Sequence, residues 1–155
     1  ESHHFIALQG EALYAGFYVL ELLTRLLRER QQEPQVFKSA MRVLEALEEN
    51  DPLQPALRRF ELELLDQLGY GIDFSVAGER LRDSAFYWFE PKVGFHLVNR
   101  DTGPVRSVSG KVLMAIARRD FADAAALDAA KLLMRSAIEP LLGDKPLISR
   151  KMFQR

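Results

Sequence analysis

Two consecutive arginines beside leucines form the most informative chemical pattern in the sequence. Arg58 and Arg59 lie within LQPALRRFELELLDQLGYGIDF at residues 53–74. If this stretch is helical, both arginines flank Leu62 on the helix surface, and Leu65 lies beside them. Guanidinium groups bind carboxylates, so the pattern is typical of a site for an acidic peptide with a hydrophobic end. The more common alternative is that the leucines pack against another helix and the arginines are solvated.

A second concentration of charge lies at the end of the chain. Four basic residues stand there against one nearby acid, Asp144: Lys145, Arg150, Lys151 and Arg155. Such clusters attract nucleic-acid phosphates by releasing condensed counterions, although they also occur as solvated surface. This segment is therefore a candidate for contact with single-stranded DNA, with Trp88 or Tyr87 as possible stacking partners for bases.

No combination of residues predicts a catalytic site. The sequence has no P-loop, no His-x-x-x-His motif, no Gly-x-Ser-x-Gly elbow and no cysteine. The histidines are His3, His4 and His96, and a lone strand histidine is more often structural than a ligand. We therefore expect no enzyme activity, no bound metal and no cofactor.

One carboxylate is expected in the interior. Glu61 lies roughly 40° from the centre of the stripe that Leu57, Leu64 and Leu68 form on a helical wheel. Because a buried carboxylate needs a partner, we expect Glu61 to form a structural pair with an arginine, which could come from another helix.

The spacing of apolar residues places these side chains on helices. Six helices are predicted, over residues 11–30, 34–49, 53–68, 110–117, 123–138 and 147–154. Ser107 or Ser109 can cap the fourth, and Pro140 and Gly143 are expected to stop the fifth. Leu13, Phe17 and Leu20 recur at helical spacing in the first helix. Because Tyr18 and Leu22 widen this apolar stripe, the helix is expected to be central and buried on more than one side.

The helical period is lost between residues 72 and 108. Residues 85–89 and 93–98 are predicted strands joined by a turn at Glu90-Pro91-Lys92. The predicted fold class is therefore all-α: one domain over residues 1–155, built as a bundle of about six helices with a small two-stranded β-ribbon insertion at about 72–108.

The composition is that of an ordinary globular chain. It is 48% hydrophobic and 28% charged, with a formal net charge of −1. Any nucleic-acid binding would therefore need a local basic patch. Charges interrupt every apolar run, so no membrane span is predicted, and no signal-peptide pattern is present.

Three blocks of the sequence resemble the bacterial DNA repair family RecO. They are GEALYAGFYVLELLTRLL at residues 10–27, LRRFELELLDQLGYGIDF at 57–74 and LLGDKPLISRKMF at 141–153. RecO proteins begin with an OB-fold domain, which has no counterpart here, so the chain resembles the helical C-terminal domain alone. Many relatives also carry a four-cysteine zinc module that this sequence lacks, so metal binding is not implied.

The resemblance implies a non-enzymatic recombination mediator in the bacterial cytoplasm, associated with the nucleoid. Such proteins bind the acidic, phenylalanine-ended tail of single-strand-binding protein (SSB), anneal single-stranded DNA, and load RecA together with RecR, which mainly contacts the N-terminal domain. Carried through the LRRFEL block, the SSB-tail site falls on Arg58, Arg59 and Leu62, with Leu65 beside them. Arg58→Ala is then expected to weaken tail binding with little loss of stability. The alternative is a direct single-stranded DNA-binding module that uses the basic C-terminal segment.

Overall fold

The structure, a computed structural model, describes residues 6–27 and 33–152. Within them lie six helices: α1 (Glu11–Leu26), α2 (Pro34–Glu48), α3 (Leu53–Leu68), α4 (Gly110–Ala117), α5 (Ala124–Leu142) and α6 (Ser149–Met152). Short strands separate α3 from α4, which confirms a mostly helical fold with a small β insertion. His3, His4, Arg155 and the predicted helical residues 28–30 and 153–154 lie outside the described residues.

Helix α3 is the centre of the bundle and has the predicted limits. It packs against α1, α2 and α5, and Leu57, Phe60 and Leu64 are buried as expected. Gly69 ends it in the left-handed conformation, at φ 86°. Because neighbours surround α3 on three sides, its buried surface is wider than a single stripe.

Helix α1 is less buried than predicted. Leu13, Phe17 and Leu20 are exposed, whereas Tyr18 and Leu22 are in the core. The expectation that both apolar faces would be covered is wrong for the face that carries Leu13, Phe17 and Leu20, because α2, α3, α5 and α6 pack against the rest of α1. The sequence marks both faces as apolar but does not say how many neighbours the helix has.

Helix α5 passes through the proline that was expected to end it. The helix includes Pro140 and continues to Leu142 before Gly143, at φ 69°. A proline removes one backbone hydrogen bond, and burial of Ile138 and Leu142 on either side holds the last turn in place. At α4, Ser109 is the cap, since its Oγ accepts a hydrogen bond from the Val112 amide at 3.2 Å.

The insertion contains two small antiparallel sheets. The predicted ribbon is present as β3 (Phe86–Glu90) paired with β4 (Gly94–Leu97), and β5 (Val108–Ser109) adds a third strand beside β3. A separate pair, β1 (Ser75–Val76) and β2 (Glu79–Arg80), was not predicted. Its two-residue turn lacks the Asn-Gly or Asp-Gly signal that usually reveals such hairpins.

The two faces of the three-stranded sheet differ. Tyr87 and Phe95 face the core, and the Tyr87 hydroxyl accepts a hydrogen bond from the Arg82 amide at 2.9 Å. On the other face, Trp88 stacks on His96 with ring centroids 4.4 Å apart. Buried Tyr87 therefore cannot stack on a nucleic-acid base, which leaves Trp88 as the candidate for that role.

Candidate functional site

A groove of about 400 Å³ opens where α1, α3, α5 and α6 meet, and we call it the Arg58 groove. Its cationic lining residues are Arg58, Lys131, Arg135 and Arg150. Leu57 and Leu132 supply apolar surface, and Glu61 is the one carboxylate in the lining. Four cations against one carboxylate make the groove suitable for an anionic ligand that also carries an apolar group.

The inner wall of the groove is a connected set of three buried side chains. Arg58 is 7% exposed and Glu61 is 2% exposed. Arg58 Nε lies 2.8 Å from Glu61 Oε1, in an ion pair whose N–H is not aligned for a hydrogen bond. The Tyr18 hydroxyl donates a hydrogen bond to Glu61 Oε2. The expected pair between Glu61 and an arginine is thus present, with an arginine from the same helix rather than another one.

Burial and charge shift the pKa values of this set. Burial raises the pKa of Glu61, although the Arg58 guanidinium, the Tyr18 hydroxyl and Arg150 partly oppose that rise. Burial, followed by the nearby Glu61 carboxylate, raises the pKa of Tyr18 well above its ordinary value. Tyr18 therefore stays a neutral hydrogen-bond donor at physiological pH.

Helix α1 anchors the segment that brings Arg150 to the groove. The Glu21 carboxylate accepts hydrogen bonds from the Ile148 amide at 2.8 Å, the Ser149 amide at 2.9 Å and the Ser149 hydroxyl at 2.7 Å. Burial would raise the pKa of Glu21, but the hydrogen bonds from Ser149 and Ile148 outweigh it and lower that pKa. A carboxylate at the start of α6 satisfies amides that have no partner within the helix.

A second set of hydrogen bonds from α1 holds the chain just before α6. Arg25 Nη2 donates hydrogen bonds to the carbonyl oxygens of Leu142, at 2.7 Å, and of Lys145, at 2.6 Å. Within the described residues α6 spans four residues, and these tertiary contacts add to its own hydrogen bonds in fixing its position. Arg150 reaches the groove through them.

The structure separates the four residues predicted for the peptide site. Only Arg58 lines the groove, and it is buried rather than on the surface as expected. Leu62 and Leu65 are 2% and 1% exposed and belong to the core, so the prediction that they line a surface pocket is wrong. Both are covered because α3 is central, and packing against other helices, the alternative for them, is what the structure shows.

Arg59 points away from the Arg58 groove. It lines a separate depression of about 470 Å³ between α2 and α3, together with Arg42 and Glu63. Its guanidinium carbon lies 5.7 Å from the centre of the Phe121 ring, a cation–π distance. Consecutive helical residues differ by about 100°, which sends neighbouring arginines toward different neighbours.

The basic residues at the end of the chain also lie in different environments. Arg150 lines the Arg58 groove, whereas Lys145 and Lys151 are exposed and Arg155 lies outside the described residues. Contact of this segment with single-stranded DNA stays a prediction. Arg150 is the residue on which the two predicted sites overlap.

Several residues that line the groove were not predicted from the sequence. Lys131 and Arg135 lie one turn apart on α5, with Leu132 between them, and this spacing could have marked an exposed cationic strip. Tyr18 was assigned to core packing, which is correct for its ring but omits its hydroxyl. The sequence could not say that these residues face Arg58.

Other kinds of site find no support in the part of the chain that is described. Within residues 6–27 and 33–152, no group of three or more His, Cys, Asp or Glu residues is arranged to hold a metal ion. His96 Nε2 lies 3.5 Å from Glu90 Oε1, and the His96 ring stacks on Trp88. Among the described helices, none has the length and apolar character needed to cross a membrane.

The fold and the groove together define a mostly helical domain with a groove lined by cationic residues, and the sequence places it in a known family. Residues 7–151 match the family described as Recombination protein O C terminal. Since this match spans most of the chain, the protein belongs to the RecO C-terminal family, as its three sequence blocks predicted.

Curated relatives agree with this assignment. The chain is 41% identical over 154 residues to the DNA repair protein RecO of Cellvibrio japonicus, covering 97% of this chain and 65% of the relative. It is 42% identical over 149 residues to the protein of the same name from Stutzerimonas stutzeri, covering 94% and 62%. For the Haemophilus influenzae protein the identity is 40% over 153 residues, covering 96% and 63%. The chain therefore spans somewhat under two thirds of the length of these relatives.

Proposed function

We propose that this domain acts in DNA repair as a non-enzymatic recombination mediator domain that binds the acidic C-terminal tail of SSB in the Arg58 groove. The observation that carries the proposal is the lining of the groove, in which four cations surround apolar surface. A peptide with several acids and a terminal phenylalanine has the complementary chemistry.

The groove suggests a role for each side chain. The terminal carboxylate of the peptide pairs with the Arg58 guanidinium, whose Nε lies 2.8 Å from Glu61 Oε1. The phenylalanine ring packs on Leu132, which is exposed, since Leu57 is buried. The acidic residues before it lie along Lys131, Arg135 and Arg150, where exposure weakens each pair but their sum attracts the tail over a distance.

Family membership supports the remaining parts of the proposed role. Bound to SSB tails, the domain would be held at coated single-stranded DNA, where a mediator assists strand annealing and loads RecA with RecR. RecR contact is proposed to lie mainly in the N-terminal domain of RecO proteins. No step of this role requires a nucleophile, base or metal from this domain.

The first test is a fluorescence-polarisation titration with a labelled acidic peptide ending in Pro-Phe, and with the same peptide lacking the final phenylalanine. We expect micromolar-range binding of the first peptide, weakened by at least roughly tenfold in the second, since a buried aromatic side chain contributes several kcal/mol of transfer free energy. Equal affinities, or no binding of either peptide at low salt, would remove the SSB tail as the ligand.

A pair of exposed leucines gives a matched control for the location of the site. Leu132, in the groove, is 41% exposed, and Leu20, on the uncovered face of α1, is 50% exposed. Leu132→Ser is expected to weaken binding of the tail, whereas Leu20→Ser is expected to leave it unchanged. Equal effects of the two substitutions would place the peptide elsewhere.

The alternative function is direct binding of single-stranded DNA by the basic C-terminal segment, and it rests on the exposure of Lys145 and Lys151. Binding to DNA phosphates falls steeply with salt, whereas the peptide site retains its apolar contribution. Measuring Lys145→Ala and Lys151→Ala with an oligonucleotide and with the peptide separates the two functions. Loss of DNA binding alone would establish a second surface.

A further inference from the structure

The inner wall of the Arg58 groove is more elaborate than an arginine that only binds anions would require. A tyrosine hydroxyl on α1 donates to one oxygen of Glu61, and the other oxygen of Glu61 contacts Arg58 Nε at 2.8 Å. All three residues are buried. Two buried polar side chains are thus linked to one guanidinium, and burying them costs free energy that their contacts must offset.

We propose that Tyr18 and Glu61 are positioning residues. They hold the outer edge of the Arg58 guanidinium toward the groove, where the proposed function places the terminal carboxylate of the peptide. This inference rests on the proposed function and concerns how the site distinguishes a chain end from an internal acidic segment.

The geometry of the guanidinium supports this role. Arginine carries five N–H donors in a rigid plane. The Nε side faces Glu61, and among the described residues no partner is found for the four donors on Nη1 and Nη2. Those two nitrogens form the edge that binds a carboxylate with two parallel hydrogen bonds. Contact at Nε limits rotation of the plane and therefore fixes the direction of that edge.

Charge also separates Arg58 from the other cations of the groove. The Glu61 carboxylate offsets the Arg58 charge nearby, so long-range attraction comes mainly from Lys131, Arg135 and Arg150. Those cations strengthen the binding of any acidic peptide. Arg58 adds a short-range, oriented contact that only a carboxylate at the right place can use.

The separate roles of Arg58 and of the other three cations correspond to two measurable quantities. One is the affinity for an acidic peptide, and the other is the ratio of affinities for a peptide with a free terminal carboxylate and the same peptide with a C-terminal amide. The amide lacks the terminal charge and offers a single acceptor oxygen, so it cannot form the paired hydrogen bonds. Loss of a charge-assisted pair corresponds to a ratio of at least roughly tenfold in the unaltered protein.

The experiment measures both peptides by fluorescence polarisation on the unaltered chain and on three variants. Tyr18→Phe keeps the ring and removes the hydroxyl, and it is expected to lower the acid-to-amide ratio severalfold. Glu61→Gln keeps the shape and is also expected to lower the ratio. Lys131→Ala is the matched control, which is expected to weaken both peptides by a similar factor and leave the ratio unchanged.

Glu61→Gln separates positioning from a purely electrostatic role. If Glu61 acted only by offsetting the charge of Arg58, removing its charge would strengthen binding of the free acid and raise the ratio. Positioning predicts the opposite sign. A fall in the ratio therefore supports the proposal, and a rise contradicts it.

A direct spectroscopic measurement covers the case in which Glu61→Gln does not fold. In the ¹⁵N-labelled chain, the Arg58 Nε–Hε resonance is assigned with Arg58→Lys. We expect slow exchange of this proton with water in the unaltered protein and faster exchange in Tyr18→Phe, whose folding is checked by circular dichroism. Unchanged exchange in Tyr18→Phe would overturn the positioning role.

The outcomes distinguish this inference from the proposed function. A chain that binds the acid and the amide equally well binds the peptide but not through its end, so the inference fails and the proposed function stands. If the ratio of acid to amide affinities is unchanged in Tyr18→Phe and Glu61→Gln, only the positioning role of these two residues is disproved. If the chain binds neither peptide, the proposed function fails and this inference fails with it.

Discussion

Arg58 and Arg59 are neighbours in sequence and lie in opposite environments. The Arg58 side of α3 is a groove in which a buried guanidinium contacts Glu61. The Arg59 side is a separate depression between α2 and α3, and Arg59 itself is exposed beside Phe121. Both depressions contain arginines and have similar volumes. They differ in whether the arginine contacts a buried partner, and this is why we propose the Arg58 groove, rather than the other depression, as the ligand site.

This difference changes how a substitution at Arg58 is interpreted. The sequence predicted that Arg58→Ala would weaken binding with little loss of stability. Because Arg58 is the ion-pair partner of buried Glu61, that expectation no longer holds. A loss of binding in this variant could come from unfolding, so substitutions at the exposed edge of the groove are the cleaner tests.

The largest expected effect concerns stability. Arg58→Ala leaves the Glu61 carboxylate buried without its cation, and we expect the free energy of unfolding to fall by about 3–5 kcal/mol. Arg59→Ala removes an exposed cation–π contact, with an expected loss of about 0.5–1 kcal/mol. Urea denaturation of both variants measures the difference. Similar losses would mean that the two arginines are not in different environments.

A core substitution tests the corrected position of the leucines. Leu65→Ala is expected to lower the free energy of unfolding by about 2–5 kcal/mol, because it opens a cavity beside α3. Affinity for the SSB tail, measured where the variant is still folded, is expected to stay unchanged. If the Leu65→Ala protein is folded and binds the tail more weakly, Leu65 contributes to the ligand site and the prediction is wrong.

Charge reversal at exposed arginines compares the two depressions directly. Arg135→Glu places an acid in the Arg58 groove, and we expect the affinity for the acidic tail to fall roughly tenfold at low salt, and less as salt screens the charges. Arg42→Glu makes the same change in the depression that contains Arg59, as the matched control. A larger loss of affinity in Arg42→Glu than in Arg135→Glu would indicate that the peptide binds in that depression instead.

The smallest expected effect concerns the anchoring of α6, which brings Arg150 to the Arg58 groove. The pKa of Glu21 is lowered in the folded protein, so its contribution to stability is complete above the unfolded-state value of about 4.5. It decreases as the pH falls below that value and is lost below the folded-state pKa.

Glu21→Gln tests this anchor, because its side chain can accept hydrogen bonds but cannot titrate. The stability difference between the unaltered protein and Glu21→Gln is expected to shrink between pH 6 and pH 3, roughly across the range where carboxylates titrate. Denaturation curves at several pH values measure this change. A difference that does not vary with pH would show that Glu21 does not anchor α6 through its charge.

Much of the local structure was predictable from the sequence. The limits of α3 and α4 were predicted correctly, because glycine and serine at their ends and regular apolar spacing act over a few residues. The β3–β4 hairpin was predicted for the same reason. The exposed face of α1 and the passage of α5 through Pro140 were not, because both depend on which neighbours cover a helix.

The candidate site shows the same division. The sequence by itself determined that Arg58 and Glu61 lie on one side of a helix, since residues three apart are neighbours on its surface. It also predicted that a buried Glu61 needs an arginine. Only the tertiary structure decided that Arg58 is buried, that Tyr18 completes the pair, and that α5 and α6 bring Lys131, Arg135 and Arg150 to it. Helical geometry is local, whereas burial and the meeting of distant charges depend on how the helices pack, and the packing also decided which of two adjacent arginines faces the groove.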